Sequence, residues 1–162
     1  MPARRHLFFA LLLSLGLLAA ARPSLAADNG MITVLSHHSV KQTIRRFEAA
    51  VRAKSALGFV VFGTIDHAAA ARKAGLSLRP RTLIMYGTPK LGTPAMAKAP
   101  TLAIDLPMKA LVWQDDAGKV WLTYNTAEYM GTTIDARHGL PNPPNTPKVA
   151  ALLKALAAQA TR

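Results

Sequence analysis

"MKALVWQDDAGKVWLTYN", residues 108–125, consists of two strand-like runs around a turn. Val112, Val120, Leu122 and Tyr124 help fill the runs, and Trp113 and Trp121 stand near the turn. Asp115, Asp116, Ala117 and Gly118 form a four-residue hairpin loop, with glycine where a positive φ is wanted. A hairpin commits this part of the chain to antiparallel pairing.

Upstream, "RTLIMYG" (81–87) and "GFVVFGTI" (58–65) read as further strands, with Gly63 a candidate bulge. "MITVL" (31–35) opens the sheet. Between these strands the spacing becomes helical. Ser39 followed by Gln42 is a capping-box pair, and Val40, Ile44, Phe47 and Val51 make one apolar stripe. This helix should run about four turns toward Gly58. Asp66 caps a short alanine-rich helix that Gly75 stops. Thr93 with Pro94 reads as the cap and first turn of a short helix, "PAMAKA", that ends before Pro100. Beyond the hairpin the pattern fades after "TAEYM".

The prolines of 141–147 read as an extended linker, and 148–162 as a terminal helix with Val149, Leu152, Leu153 and Leu156 on its apolar side. The order is strand, helix, strand, short helix, strand, short helix, hairpin, terminal helix. It fits an α+β domain with helices packed on one face of a mainly antiparallel sheet. A doubly wound parallel sheet needs longer crossovers than most of these.

The first 26 residues stand apart from that domain. Arg4 and Arg5 precede a 15-residue apolar run from Leu7 to Ala21, and Ser24 and Ala26 supply a small-x-small ending. This is the pattern of a secretory signal peptide, cleaved after Ala26, and the run is short for a membrane span. The expected location is periplasmic or secreted, with no stable membrane span after cleavage and the domain proper at 27–140. Removing Arg4, Arg5 and Arg22 leaves 17 basic against 8 acidic residues, a net charge of +9. Export argues against a nucleic-acid partner, and the basic residues are dispersed: Lys41, Arg45, Arg46, Arg52 and Lys54 ride one helix. With no cysteine, disulfide and thiolate chemistry are excluded.

"MYGTPKLGTP" (85–94) tests the site chemistry. Gly87 and Gly92 have the spacing of a phosphate-binding loop, but Thr93 stands where the lysine belongs and Pro94 follows, so a nucleotide-hydrolysing P-loop is rejected. Free backbone N–H groups near Thr93 could still receive an anion. Beyond the leader, histidines stand at 37, 38, 67 and 138 without metal-ligand spacing, and no Gly-x-Ser-x-Gly elbow is present. Asp66 beside His67, and Asp105 within "AIDLP", are lone acids in apolar surroundings.

The stretch from Thr64 to Asn125 resembles the family called domain of unknown function 302, in its exported members. The resemblance rests on Ile65-Asp66-His67 before an alanine-rich helix and on Arg79-Pro80. It continues through Gly87, Pro89, Gly92, Thr93, Met96 and Pro100 to Asp105-Leu106-Pro107 and Val112-Trp113 with Asp115. "ARHGL" (136–140) is similar to the family's close. Tyr86, Thr88 and Gln114 depart from its usual Phe, Asn and acid. The resemblance implies one copy of a TATA-binding-protein-like arrangement, a curved antiparallel sheet with helices on its concave face. It implies no reaction, and a fold does not carry DNA binding with it.

Polar residues embedded in a chain otherwise written for core packing suggest a non-catalytic domain that binds a small ligand or partner. The expected pocket is lined by His67, Tyr86, Thr88, Thr93, Asp105 and Trp113. An alternative is a hydrolase or isomerase using Asp66, His67 and Asp105 as acid and base. A further alternative is a periplasmic copper or haem contact through His67 and a methionine. No cofactor is otherwise implied, and an exposed sheet edge makes a homodimer plausible.

Overall fold

The structure is a computed structural model that describes residues 29–141 and 146–162. The expected signal segment and four residues of the expected linker lie outside them. Five strands, β1 (Met31–Ser36), β2 (Val60–Asp66), β3 (Arg81–Gly87), β4 (Met108–Gln114) and β5 (Val120–Asn125), form one antiparallel sheet in the order β1-β5-β4-β3-β2. The α+β reading therefore holds. At the turn Gly118 adopts φ 78°, and Asp115 Oδ1 accepts from Lys119 N at 2.8 Å. Asp115 Oδ2 accepts from Trp121 Nε1 at 2.8 Å.

Helix α1 (Val40–Arg52) starts with both halves of the Ser39–Gln42 capping box. It holds the whole apolar stripe through Val51 and ends at Arg52, short of Gly58: a 3-10 turn, Ser55–Leu57, follows, and Gly58 closes that turn at φ 83°. Helix α2 (His67–Lys73) is capped by Asp66, which accepts from Ala69 N at 2.9 Å. The β2 register slips between Val61 and Gly63, so the bulge expected at Gly63 is present, with Phe62 the extra residue.

The third helix differs from its expected start. Helix α3 spans Pro89–Lys98 with Thr88 at the N-cap, and Pro94 lies inside it. Proline at the first helical position costs no hydrogen bond, so Thr88–Pro89 is the true start signal and Thr93–Pro94 is interior. A 3-10 turn, Pro100–Ile104, leads to β4. After β5, a single helical turn α4 (Ala127–Tyr129) runs into a π-turn, Met130–Asp135. Helix α5 (Thr146–Thr161) begins at the Thr146–Pro147 pair.

Helix α5 docks: Leu153, Leu156, Ala157 and Ala160 are buried against the core. It packs beside α1 over one sheet face, where Phe47 and Val51 meet Ile84, Tyr86, Val112 and Leu122. Phe47 and Tyr86 make an edge-to-face pair at 5.1 Å. Burial holds the Tyr86 hydroxyl far above the ordinary phenol range, with Tyr124 adding to the shift.

The opposite face carries the alternate residues in rows fixed by the register. One row is Leu35, Trp121, Trp113 and Arg81, and the next is Thr33, Thr123, Leu111, Leu83 and Ile65. The third holds Met31 and Asn125, then Lys109, Met85 and Gly63. The two tryptophans stack at 6.2 Å.

Candidate functional site

Strand direction gives the sheet two ends. The hairpin end holds the β4–β5 turn, the start of α1 and all of α2. The crossover end holds the segments 88–107 and 126–141. Seven residues of extended chain hold them about 20 Å apart.

The six residues expected to share a pocket are divided between these ends and between the two faces. His67 begins α2 at the hairpin end and is exposed. Trp113 is near that end but on the open face, donating to Thr123 Oγ1 at 2.9 Å. Tyr86 is 1% exposed within the helix-covered core. Thr88, Thr93 and Asp105 belong to the crossover end, and Thr93 is exposed on α3. Strand alternation separates Tyr86 from Trp113, and strand length separates His67 from Asp105. The Asp66–His67–Asp105 set is divided in the same way, with Asp66 occupied as a cap.

Asp105 instead meets His138, 33 residues further along the chain. Its Oδ2 accepts from His138 Nε2 at 2.6 Å and from Arg137 Nε at 2.8 Å. With that proton on Nε2, His138 Nδ1 is left to accept from Thr101 Oγ1 at 2.8 Å. Arg137 Nε also lies 3.3 Å from His138 Nε2, but that nitrogen already donates to Asp105. Lys109 Nζ donates to the carbonyl oxygens of Asp105 and Pro107 at 2.6 and 2.9 Å. The His138 ring is 6% exposed and the Asp105 carboxylate 19%. Asp135, nearby, is pushed above the ordinary carboxylate range by burial, against an opposing pull from His138. Sequence reading singled out Asp105 and overlooked His138 as its partner. Only the adjacency of Arg137 and His138 in "ARHGL" offered a signal.

The hairpin end has the opposite electrostatic character. A hollow of about 350 Å³ opens between α1, α2 and the start of β3. Val40, Ile44, Ala68 and Pro80 supply apolar walls, and Lys41, Arg45 and Arg72 bring three cations to it. No carboxylate pairs with any of the three among the described residues. Asp66 also lines the hollow, with one oxygen held by Ala69 N. Lys41 and Arg45 are four residues apart on α1, where like charges oppose helix formation. Sequence reading placed both on this helix without seeing that α2 turns Arg72 toward them.

Among the described residues no group of three or more His, Cys, Asp or Glu could hold a metal ion. No described helix is long and apolar enough to cross a membrane.

Comparison with known proteins bears on the fold and the family. The chain is 46% identical over 113 residues, 70% of its length, to proteins named fluoride-specific ion channel FluC 1 in Brucella suis and Brucella abortus. The same identity and coverage hold for one named fluoride-specific ion channel FluC 2 in Brucella melitensis. The matched stretch is 42% of the first protein and 39% of the other two, so the chain spans less than half of each. A crystal structure of an uncharacterized conserved DUF302 protein from Bacillus stearothermophilus superposes with a TM-score of 0.60 at 19% identity. That match covers 82% of this chain and 96% of the other, and it speaks for the fold alone. The family model described as "Domain of unknown function DUF302" matches residues 32–160, from β1 into the last turn of α5, and the chain belongs to that family.

Proposed function

We propose that this is a non-catalytic binding domain for a small organic anion, which sits in the hollow between α1 and α2. One observation carries the reading: three basic side chains, Lys41, Arg45 and Arg72, line the hollow against the one carboxylate of Asp66, and none of the three is ion-paired among the described residues. Lys41 and Arg45, four residues apart on α1, repel each other, a cost that a bound anion relieves, and the apolar walls favour a ligand with a hydrocarbon or ring body. The two arginines suit a carboxylate or phosphate, because a guanidinium can donate two parallel hydrogen bonds to either. The name of the Brucella relatives links a stretch like this one to membrane channels for an anion. We read the domain as an accessory module that acts outside the cytoplasm after cleavage at Ala26. N-terminal sequencing of the exported protein should begin at Ala27, and a retained leader rejects that location.

Calorimetric titration with benzoate, citrate and phosphate at low ionic strength tests the binding reading. At least one should bind, more weakly as salt is raised. Arg45→Gln with Arg72→Gln should lower that affinity tenfold or more. No heat from any of the three, or an affinity the double variant leaves intact, rejects the hollow as the site.

A second reading, an acid–base enzyme, draws on the Asp105–His138–Thr101 chain. The carboxylate orients the ring, and the ring nitrogen faces a hydroxyl. Turnover of a p-nitrophenyl ester that His138→Gln abolishes would support it. Equal rates in both proteins would leave the cluster a structural clamp.

A further inference from the structure

We infer that the helix-free face of the sheet is the seat of a homodimer, packed face to face with a second copy of this chain. An antiparallel sheet with one wet face normally alternates apolar inward and polar outward. Here the outward positions are apolar as well. Leu35, Trp121 and Trp113 fill most of one row, and Leu111, Leu83 and Ile65 most of the next. Leu35 is 39% exposed and Ile65 42%, while the rings and leucines between them are half-buried by one another. Helices α1 and α5 lie on the other face. At the crossover rim Phe62 and Pro107 flank Gly87, and a side chain at that position would meet them at 3.7 and 3.9 Å. A continuous apolar surface of this kind marks a contact site.

Charge selects the occupant. The strand positions of this face carry two cations, Arg81 and Lys109, and no acid, while Asp115 at the hairpin rim is tied to Trp121 Nε1. The Lys109 ammonium is withdrawn to the carbonyls of Asp105 and Pro107, which leaves half-buried Arg81 as the other cation of the face. A strongly acidic partner or an anionic bilayer would find a single cation to meet. A second copy supplies a matching flat apolar sheet, the arrangement in which two sheets stack about 10 Å apart with interleaved side chains.

The register also gives Arg81 a partner in such a pair. Strands β3 and β5 flank the central strand β4, and Arg81 and Trp121 share one row on either side of Trp113. A two-fold axis along β4 therefore brings Arg81 of each copy toward Trp121 of the other, a cation over an indole, twice per dimer. In plan, five strands and six residues give about 500 Å² per copy. Side-chain relief raises that figure toward the ~800 Å² per partner of an ordinary stable interface. The anion-binding hollow lies on the helix side and stays open in the dimer.

Sedimentation equilibrium of the purified full chain reads the outcome. The wild type should be a dimer at about 50 μM, with tryptophan emission moving to longer wavelength as dilution separates the copies. Leu83→Glu, at the centre of the face, should raise the dissociation constant at least a hundredfold with the far-ultraviolet circular dichroism retained. Arg81→Ala, at a side chain that does not hold the core, should raise it about tenfold and serves if Leu83→Glu fails to fold. A monomer at every concentration up to about 200 μM overturns the inference. So does a dimer indifferent to both substitutions, or a monomer that sediments with phosphatidylglycerol vesicles.

Discussion

The two ends of the sheet handle their charges in opposite ways. At the crossover end Asp105, Arg137, His138, Thr101 and Lys109 are joined to one another and to main-chain carbonyls. At the hairpin end Arg79 is paired with Asp116 at 2.7 Å, but Lys41, Arg45 and Arg72 gather around a hollow shared with Asp66, and among the described residues none of the three is ion-paired. A satisfied polar network holds structure together, whereas unpaired like charges cost stability and serve a visitor. On that contrast the crossover end is built as a clamp, and the hairpin end is the proposed receptor.

The sharpest break in the contrast is Asp105→Ala. It removes the acceptor shared by a nearly buried imidazole and a guanidinium, and should cost about 2 kcal/mol in urea denaturation. Asp105→Asn, which keeps one oxygen for His138, should lose less. An unchanged midpoint in the alanine variant would show that the cluster holds nothing. Next comes the cap at the hairpin end. Ser39→Ala removes one half of the capping box and should cost about 1 kcal/mol, read in the same way. It should leave the Asp105–His138 contact intact, because Ser39 caps the far end of α1.

How much of this was legible in the sequence depends on how far apart the interacting residues are. The hairpin, the Ser39–Gln42 box and the Asp66 cap are contacts within a few residues, and they emerge as read. Helix α3 was misplaced by five residues because two Thr-Pro pairs compete and only the first is a start signal. The segment 126–141 has no clean period, since a helical turn passes into a π-turn, and periodicity cannot find such an element. The sites need contacts at long range. Asp105 looked notable from its apolar neighbours, but its partner is fixed by where the π-turn delivers His138. Equally, Lys41 and Arg45 were placed on one helix as part of a dispersed basic surface, while Arg72 joins them only through the packing of α2.

Acid sharpens the comparison, because two carboxylates respond with opposite signs. Asp115, at the hairpin turn, is held below the ordinary carboxylate range, first by the Trp121 indole N–H and then by backbone N–H groups. A depressed folded value gives stability that is present above the unfolded value near 4 and is lost as pH falls through the folded one. Trp121 fluorescence should therefore begin to change only below about pH 4. Asp135 is raised by burial, so its charged form is disfavoured in the fold at neutral pH. Asp135→Asn should gain a few tenths of a kcal/mol at pH 7. The gain should vanish as the pH falls below the ordinary carboxylate range, and a loss at pH 7 would mean that the carboxylate is needed by a donor.

The smallest expected effect tests the receptor end. If Lys41, Arg45 and Arg72 bind an anion and do not support the fold, removing one should not destabilise the ligand-free protein. Arg45→Gln removes a like-charge neighbour four residues from Lys41, and at low salt should raise stability by about 0.3 kcal/mol. In about 1 M salt, where the screening length is near 3 Å, the difference should disappear. The guanidinium stem also covers apolar wall, so Arg45→Met, which keeps the stem, separates charge from packing. A loss of stability in Arg45→Gln that Arg45→Met restores would make Arg45 part of the scaffold, and the contrast between the two ends would fail at that residue.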